Sequence, residues 1–301
     1  VFLEKGSGSD NPGGSTSDGT GSNDSVFTGT EATGTVINFG SYPQSKVTDS
    51  ATLRKLDKLP KQWESYEYYS GTGEDDGNME PSDYMKYADI KLGEEKYRAV
   101  TFSEYRPDET GYNSSASNSY QGNNCYYAGN DYYFKYEPLK WRVLDASIGL
   151  IVCDSIIDSQ AYNNYILRTA DECWGDSDKT HYANNWEYSS LREWLNDDFC
   201  NTAFSKTQQN RIMEITRENK SRHSSKYDSN PTSDKITLLS FWDASNTSYR
   251  FSSSYSTYDT ARHRKGTDYA KCQGLYLRSD FDDKYNGFSD WWLRTPGFYT
   301  N

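Results

Sequence analysis

The 301-residue chain has no run of about 18 apolar residues, so no segment of it reads as a membrane-spanning helix. It has only three histidines, His181, His223 and His263, and no two stand four apart to share one helix face as metal ligands. It has no G-x-G-x-x-G, P-loop or G-x-S-x-G pattern, which removes the common nucleotide-binding and serine-hydrolase signatures. Its five cysteines, Cys125, Cys153, Cys173, Cys200 and Cys272, form no C-x-x-C pair, and an odd number cannot all be bridged within one chain. A domain of this size can bury a core without crosslinks, so buried free thiols are expected over a disulfide framework. No metal, cofactor or catalytic residue is expected.

Aliphatic residues are also scarce. The hydrophobic share is 34%, a figure that by itself suggests disorder. Aromatics reverse that reading: 27 Tyr, 12 Phe and 8 Trp supply large buriable rings, and Tyr lowers mean hydropathy without leaving the core. The net charge is −12, from 44 acidic and 32 basic residues. A field of that sign repels phosphate backbones and anionic headgroups, so nucleic acid is not an expected partner.

Twenty of the thirty residues from Gly6 to Thr35 are Gly, Ser or Thr, and none is Lys or Arg. Residues 1–35 are therefore expected to be a disordered linker, and 36–301 a single folded domain. Val1 is not Met, and Val1-Phe2-Leu3 is too short for the apolar part of a signal peptide. The chain reads as an exported segment whose targeting signal lies upstream, with an extracellular, cell-surface or secreted location.

Within 36–301, Val36–Gly40 reads as a strand that exits through Tyr42-Pro43-Gln44. Leu53, Leu56 and Leu59 fall at helical spacing behind an Asp49 or Ser50 cap. Tyr97–Phe102 reads as a strand, and 107–131 as a long exposed loop. Tyr132–Tyr136, Leu139–Asp145 and Gly149–Cys153 read as successive antiparallel strands turning at Pro138 and Gly149. Ser190 with Glu193, and Ser205 with Gln208, predict two capped helices, the second carrying Ile212 and Met213. Ile236–Phe241 and Trp291–Arg294 read as further strands. Strands with a few segregated helices define an α+β domain.

Five segments recur in a recognisable order: Phe39-Gly40-Ser41-Tyr42-Pro43-Gln44, Lys140-Trp141-Arg142-Val143-Leu144, Ser190-Leu191-Arg192-Glu193-Trp194-Leu195-Asn196, Gly266-Thr267-Asp268-Tyr269-Ala270 and Trp291-Trp292-Leu293-Arg294-Thr295-Pro296-Gly297. Together they resemble the DUF6273 type of bacterial surface protein. The resemblance implies a C-type-lectin-like fold related to formylglycine-generating enzymes, and it implies no established reaction. Members of that family continue past the Trp-Leu-Arg-x-Pro-Gly segment, so it also implies a domain truncated at its C-terminal end.

The candidate ligand-binding residues are Asn184, Asn185 and Trp186, which have the composition of a sugar-stacking platform, together with Arg262, Asp268 and Arg294. Arg262 lies in the densest basic patch and has the fork that clasps carboxylates; a loop-fixing Asp–Arg network is the alternative. Arg294 poses the same choice between a ligand and a buried carboxylate. Asp280, Asp282, Asp283 and Asn286 form an oxygen-rich stretch that fits an ordinary turn better than a calcium loop. Three functions stay open: a surface module binding a glycan or protein, a formylglycine-generating-like or hydrolytic enzyme, and a structural spacer.

Overall fold

The computed structural model describes residues 1–6, 24–68, 83–106, 120–162, 184–254, 259–278 and 286–296. The aromatic run at residues 132–134 organises the first half. Strand β5 (Asp131–Asp145) is central to a six-stranded antiparallel sheet. On one edge it pairs with β1 (Val36–Lys46). On the other it pairs first with β4 (Glu95–Phe102) and then with β6 (Leu150–Cys153). Beyond β4 lie β3 (Met85–Leu92) and the short β2 (Glu64–Ser65). Both faces of the sheet are covered. Tyr133, Ala99 and Ala88 pack under Leu56 of helix α1 (Ser50–Asp57), while Phe134, Val100 and Phe102 face the main core. A strand buried on both sides reads as a continuous apolar run rather than an alternation, which is why three consecutive aromatic residues fit here.

The helix cap at Asp49 holds as read: its carboxylate accepts from the Thr52 amide at 2.7 Å. The expected hairpin at Pro138 does not form. Pro138 lies inside β5, in the stretch between Lys135 and Trp141 where that edge passes from β4 to β6. A residue without an N–H is tolerated where no neighbour calls for one. The expected exit turn at Tyr42-Pro43-Gln44 is likewise strand, bent by a bulge at Gly40. That glycine has a φ of +75°, and a Cβ there would lie 2.5 Å from the Phe204 ring. The long loop expected over 107–131 is interrupted by helix α2 (Tyr120–Asn123), which buries Gln121, and by the buried Tyr126; residues 107–119 lie outside the described residues.

The second half has less regular structure. Helix α3 (Ser190–Trp194) runs through a π-turn at Leu195–Phe199 into α4 (Cys200–Ala203). The cap of α3 is Ser189, one residue before the expected position. The capping box of Ser205 and Gln208 starts α5 (Lys206–Asn210) as read, but the helix ends before Ile212 and Met213. Strands β7 (Ile215–Asn219) and β8 (Ser229–Asp234) pair with each other. Helix α6 (Phe241–Ala244), strand β9 (Arg264–Lys265), helix α7 (Asp268–Cys272) and strand β10 (Phe288–Ser289) follow, with β9 paired to β10. The strands expected at 236–241 and 291–294 do not form: 236–240 and 291–294 are irregular, Phe241 begins α6, and the Arg294 amide joins the two segments by donating to the Leu239 carbonyl at 3.1 Å.

The domain does not begin at residue 36. Phe2 bridges Leu150 and Leu3 bridges Ile212, so the N-terminal residues add to the sheet beside β6. The Phe27 carbonyl accepts from the Gly6 amide at 2.9 Å, and Asp24 and Ser25 bond the backbone of β1 at Gly40 and Asn38. Val1, Phe2, Leu3 and Phe27 are all buried. Residues 7–23 lie outside the described residues. Gly149 serves this strap directly: its φ is +72°, and a Cβ would stand 2.1 Å from the Leu3 carbonyl oxygen.

Candidate functional site

Between the N-terminal strap with β6 on one side, and segments 236–239 and 290–294 on the other, lies a cavity of about 260 Å³. Its walls are mainly apolar and aromatic. Leu195 and Trp194 reach it from the helical stretch, Ile151 from β6, Leu239 from the loop before α6, and Trp291 and Trp292 from the last segment. Trp292 remains 54% exposed, the most open of these rings; its indole N–H donates to the Gln160 carbonyl at 3.2 Å and its ring meets Tyr162 edge-on.

Two polar ends punctuate this lining. One is Asp158 with Gln160. The Asp158 carboxylate accepts from the Tyr42 hydroxyl at 2.6 Å and from the Ser159 amide at 2.7 Å, and Gln160 Nε2 donates to it at 3.2 Å. Burial pushes this carboxyl up, against the Tyr42 and Ser159 bonds that hold it down. Behind it runs a tyrosine network. Gln160 Nε2 donates to the Tyr68 hydroxyl, Tyr68 to Gln273 Oε1, and Gln273 Nε2 to the Tyr66 hydroxyl, which bonds that of Tyr269. The Arg98 guanidinium lies 4.3 Å from the Tyr87 ring centre and forks onto Asp89 at 2.8 and 3.0 Å. This network explains how a chain poor in aliphatic residues keeps a core: the rings are buried and their hydroxyls are satisfied by one another.

The other end is Arg294. Its Nη1 donates to the Leu238 carbonyl at 2.8 Å and to Asp243 Oδ2 at 3.0 Å. Asp243 is also held by the Ser240 amide and hydroxyl, and by Arg217 Nη2 at 3.0 Å. Burial alone would raise its carboxyl; the Ser240 bonds and the two arginines outweigh that and hold it below the usual carboxylate range.

The residues proposed from sequence do not converge. Trp186 is fully buried and its indole N–H donates to Asp234 Oδ2 at 3.2 Å, so its face is not open to a sugar. Asn185, itself buried, caps the turn at Trp186–Tyr188 by accepting from the Glu187 amide; the Asn184 carbonyl accepts from the Tyr162 hydroxyl. Arg262 fixes loops, donating to the carbonyls of Ala244, Ser252 and Ser254 and pairing with Asp259 at 3.4 Å. Asp268 accepts from the Lys46 amide at 3.1 Å and tethers α7 to the end of β1. Of the six, only Arg294 lines the cavity. Asp158, Gln160 and Arg217 find Tyr42, Tyr68 and Asp243 at separations of 116, 92 and 26 residues, which no local signal shows; Asp243 did carry one, the Ser240–Asp243 capping box that opens α6.

Among the described residues Cys125, Cys153, Cys200 and Cys272 are free thiols. Cys153 lines the cavity, and burial pushes its thiol up to about 11, against a hydrogen bond from Ser155. Burial likewise raises Cys200 and Cys272. These are protonated packing residues and not ready nucleophiles. Among the described residues no group of three His, Cys, Asp or Glu side chains could hold a metal, and no helix is long and apolar enough to cross a membrane. Asp280, Asp282 and Asp283 lie outside the described residues, as do Cys173 and His181.

Fold and site together define an α+β domain with a largely apolar, aromatic-walled cavity set between its sheet and its C-terminal segments. Residues 151–301 match the family described as "Domain of unknown function (DUF6273)", and the chain belongs to that family. The match begins inside β6, so the motifs at residues 39–44 and 140–144 lie upstream of it. No curated protein and no solved structure matches the chain.

Proposed function

We propose that this is a ligand-binding module, and that the cavity receives an apolar group, either a small molecule or a side chain of a partner protein. The observation that carries this reading is the aromatic-walled space itself, lined by Trp194, Trp291 and Trp292. A largely apolar lining with a few placed polar groups is the usual character of a ligand pocket. At about 260 Å³ it is smaller than the pockets of roughly 300–1,000 Å³ that hold drug-sized ligands, and larger than the roughly 150 Å³ that accepts benzene. It suits one ring with a short substituent. Of the two partners expected from sequence, this lining favours a protein over a glycan, because a buried sugar needs a polar partner for nearly every hydroxyl. Indole is the direct probe. Saturation-transfer NMR should show it bound to the full chain and lost in Leu238→Trp, which fills the cavity; no binding to the folded wild-type chain overturns the reading.

Display outside the cell and a C-type-lectin-like fold belong to the same proposal. The acidic, tyrosine-rich composition supports the first. The antiparallel sheet with few short helices and long irregular segments supports the second. Protease shaving of intact cells tests the location, and superposition of an experimental structure on C-type-lectin domains tests the fold.

A further inference from the structure

The arginine end of the cavity narrows the chemistry of the ligand, provided that the cavity is a binding site as proposed. Arg294 is only 4% exposed, and its Nε, although buried, has no hydrogen-bond partner among the described residues. A buried donor without an acceptor is unfavourable, and a guanidinium donor is among the strongest. Charge points the same way. Among the described residues Asp243 is the single carboxylate bonded to both Arg217 and Arg294, so this trio carries one more positive charge than negative. The neighbouring carboxylates are engaged elsewhere: Asp234 by Arg192 at 2.7 Å, and Asp290 by Arg278 at 3.0 Å. In a chain of net charge −12, a buried excess cation on an apolar wall is a local reversal of the field.

We propose that the cavity binds a monocarboxylate with an apolar or aromatic body, its carboxylate accepting from Arg294 Nε and its body filling the aromatic-walled remainder. A single negative charge matches the one excess positive charge. A phosphate would bring nearly two, into a cavity whose far end already holds the Asp158 carboxyl. The same chemistry has two sources: a free apolar carboxylic acid, or the C-terminal carboxylate of a peptide ending in an apolar residue.

Titration calorimetry on the full chain with 3-phenylpropanoate and its neutral amide separates charge from shape. The acid should bind at least tenfold more tightly than the amide, a difference of about 1.4 kcal/mol. In Arg294→Gln that preference should vanish while indole still binds. Should this variant fail to fold, the acid–amide pair on the wild-type chain decides the matter alone. Hexapeptides ending in Phe, with free and amidated C-termini, identify the source: binding only by the free-terminus peptide assigns the carboxylate to a chain end, and binding by 3-phenylpropanoate to a free acid. If indole binds but neither acid nor free-terminus peptide exceeds its amide, the carboxylate inference falls and the binding reading stands. If indole, acid and peptides all fail to bind, both fall.

Discussion

In the first half of the chain β1, β3, β4 and β5 run 11, 8, 8 and 15 residues and exchange backbone hydrogen bonds along most of their length. In the second half the longest described strand, β8, has 6 residues, and side chains reaching for distant backbone do much of the joining. Asn196 Oδ1 accepts from the amides of Lys235 and Ile236, and its Nδ2 donates to the Ile236 carbonyl. Arg262 holds three carbonyls, and Gln209 Nε2 donates to those of Cys200 and Phe204. A ladder spreads its stabilisation over many equivalent bonds; a clamp concentrates it in one side chain. The clamped half is the one that matches the family and supplies most of the cavity, so its walls are held from outside by single residues.

The N-terminal strap tests whether the two halves form one cooperative unit. Phe2 is buried with Leu144 and Leu150 from the sheet half and Leu239 and Phe251 from the clamped half. Phe2→Ala should lower unfolding free energy by about 3–5 kcal/mol, with a single transition in urea. A loss near zero would show that residues 1–3 are not part of the core. Two separated transitions would show that the halves unfold independently.

Next in size comes the contrast between clamp and ladder. Asn196→Ala leaves two amides and one carbonyl without their partner and should destabilise by about 2 kcal/mol, the penalty of stranded backbone groups. Lys140→Ala, at an exposed position in β5, keeps its ladder and should stay within about 0.5 kcal/mol of the wild type. Equal effects at the two positions, measured by chemical denaturation, would erase the distinction.

How far the sequence could be read follows the same division. Local signals survived into the structure: the Asp49 cap, the Ser205–Gln208 box and the strand at Tyr97–Phe102 depend on near neighbours. Clamps defeated it. The apolar runs at 236–241 and 291–294 have strand composition, yet Ser240 spends its side chain capping α6 and Arg294 turns to Asp243. Trp186 beside two asparagines reads equally well as a sugar platform and as core, and its deciding partner, Asp234, stands 48 residues away. The cavity was illegible for the same reason, since its walls come from residues 1–2, 150–160, 191–199, 236–239 and 290–294. Arg294 was the exception: a charge inside an aromatic run has to find a partner, and that much is visible without coordinates.

The smallest expected effect is a change in the slope of stability with pH, and it sets the two polar ends of the cavity against each other. The Asp243 carboxyl is held below the ordinary aspartate value of 3.8 in the folded chain. Its contribution is therefore whole above that value and is lost as pH falls through the folded pKa. Asp158 runs the other way: burial raises it, so its contribution is whole below 3.8 and is lost as pH rises through its folded pKa. Asp243→Asn should flatten the arm of the stability profile below pH 3.8, and Asp158→Asn the arm above it. Urea midpoints between pH 2 and 7 supply both slopes. The pair separates an end where Ser240 and two arginines hold the carboxyl down from an end where burial pushes it up. If both variants flatten the same arm, the two ends share one electrostatic environment, and the excess positive charge at Arg294 loses its contrast within the cavity.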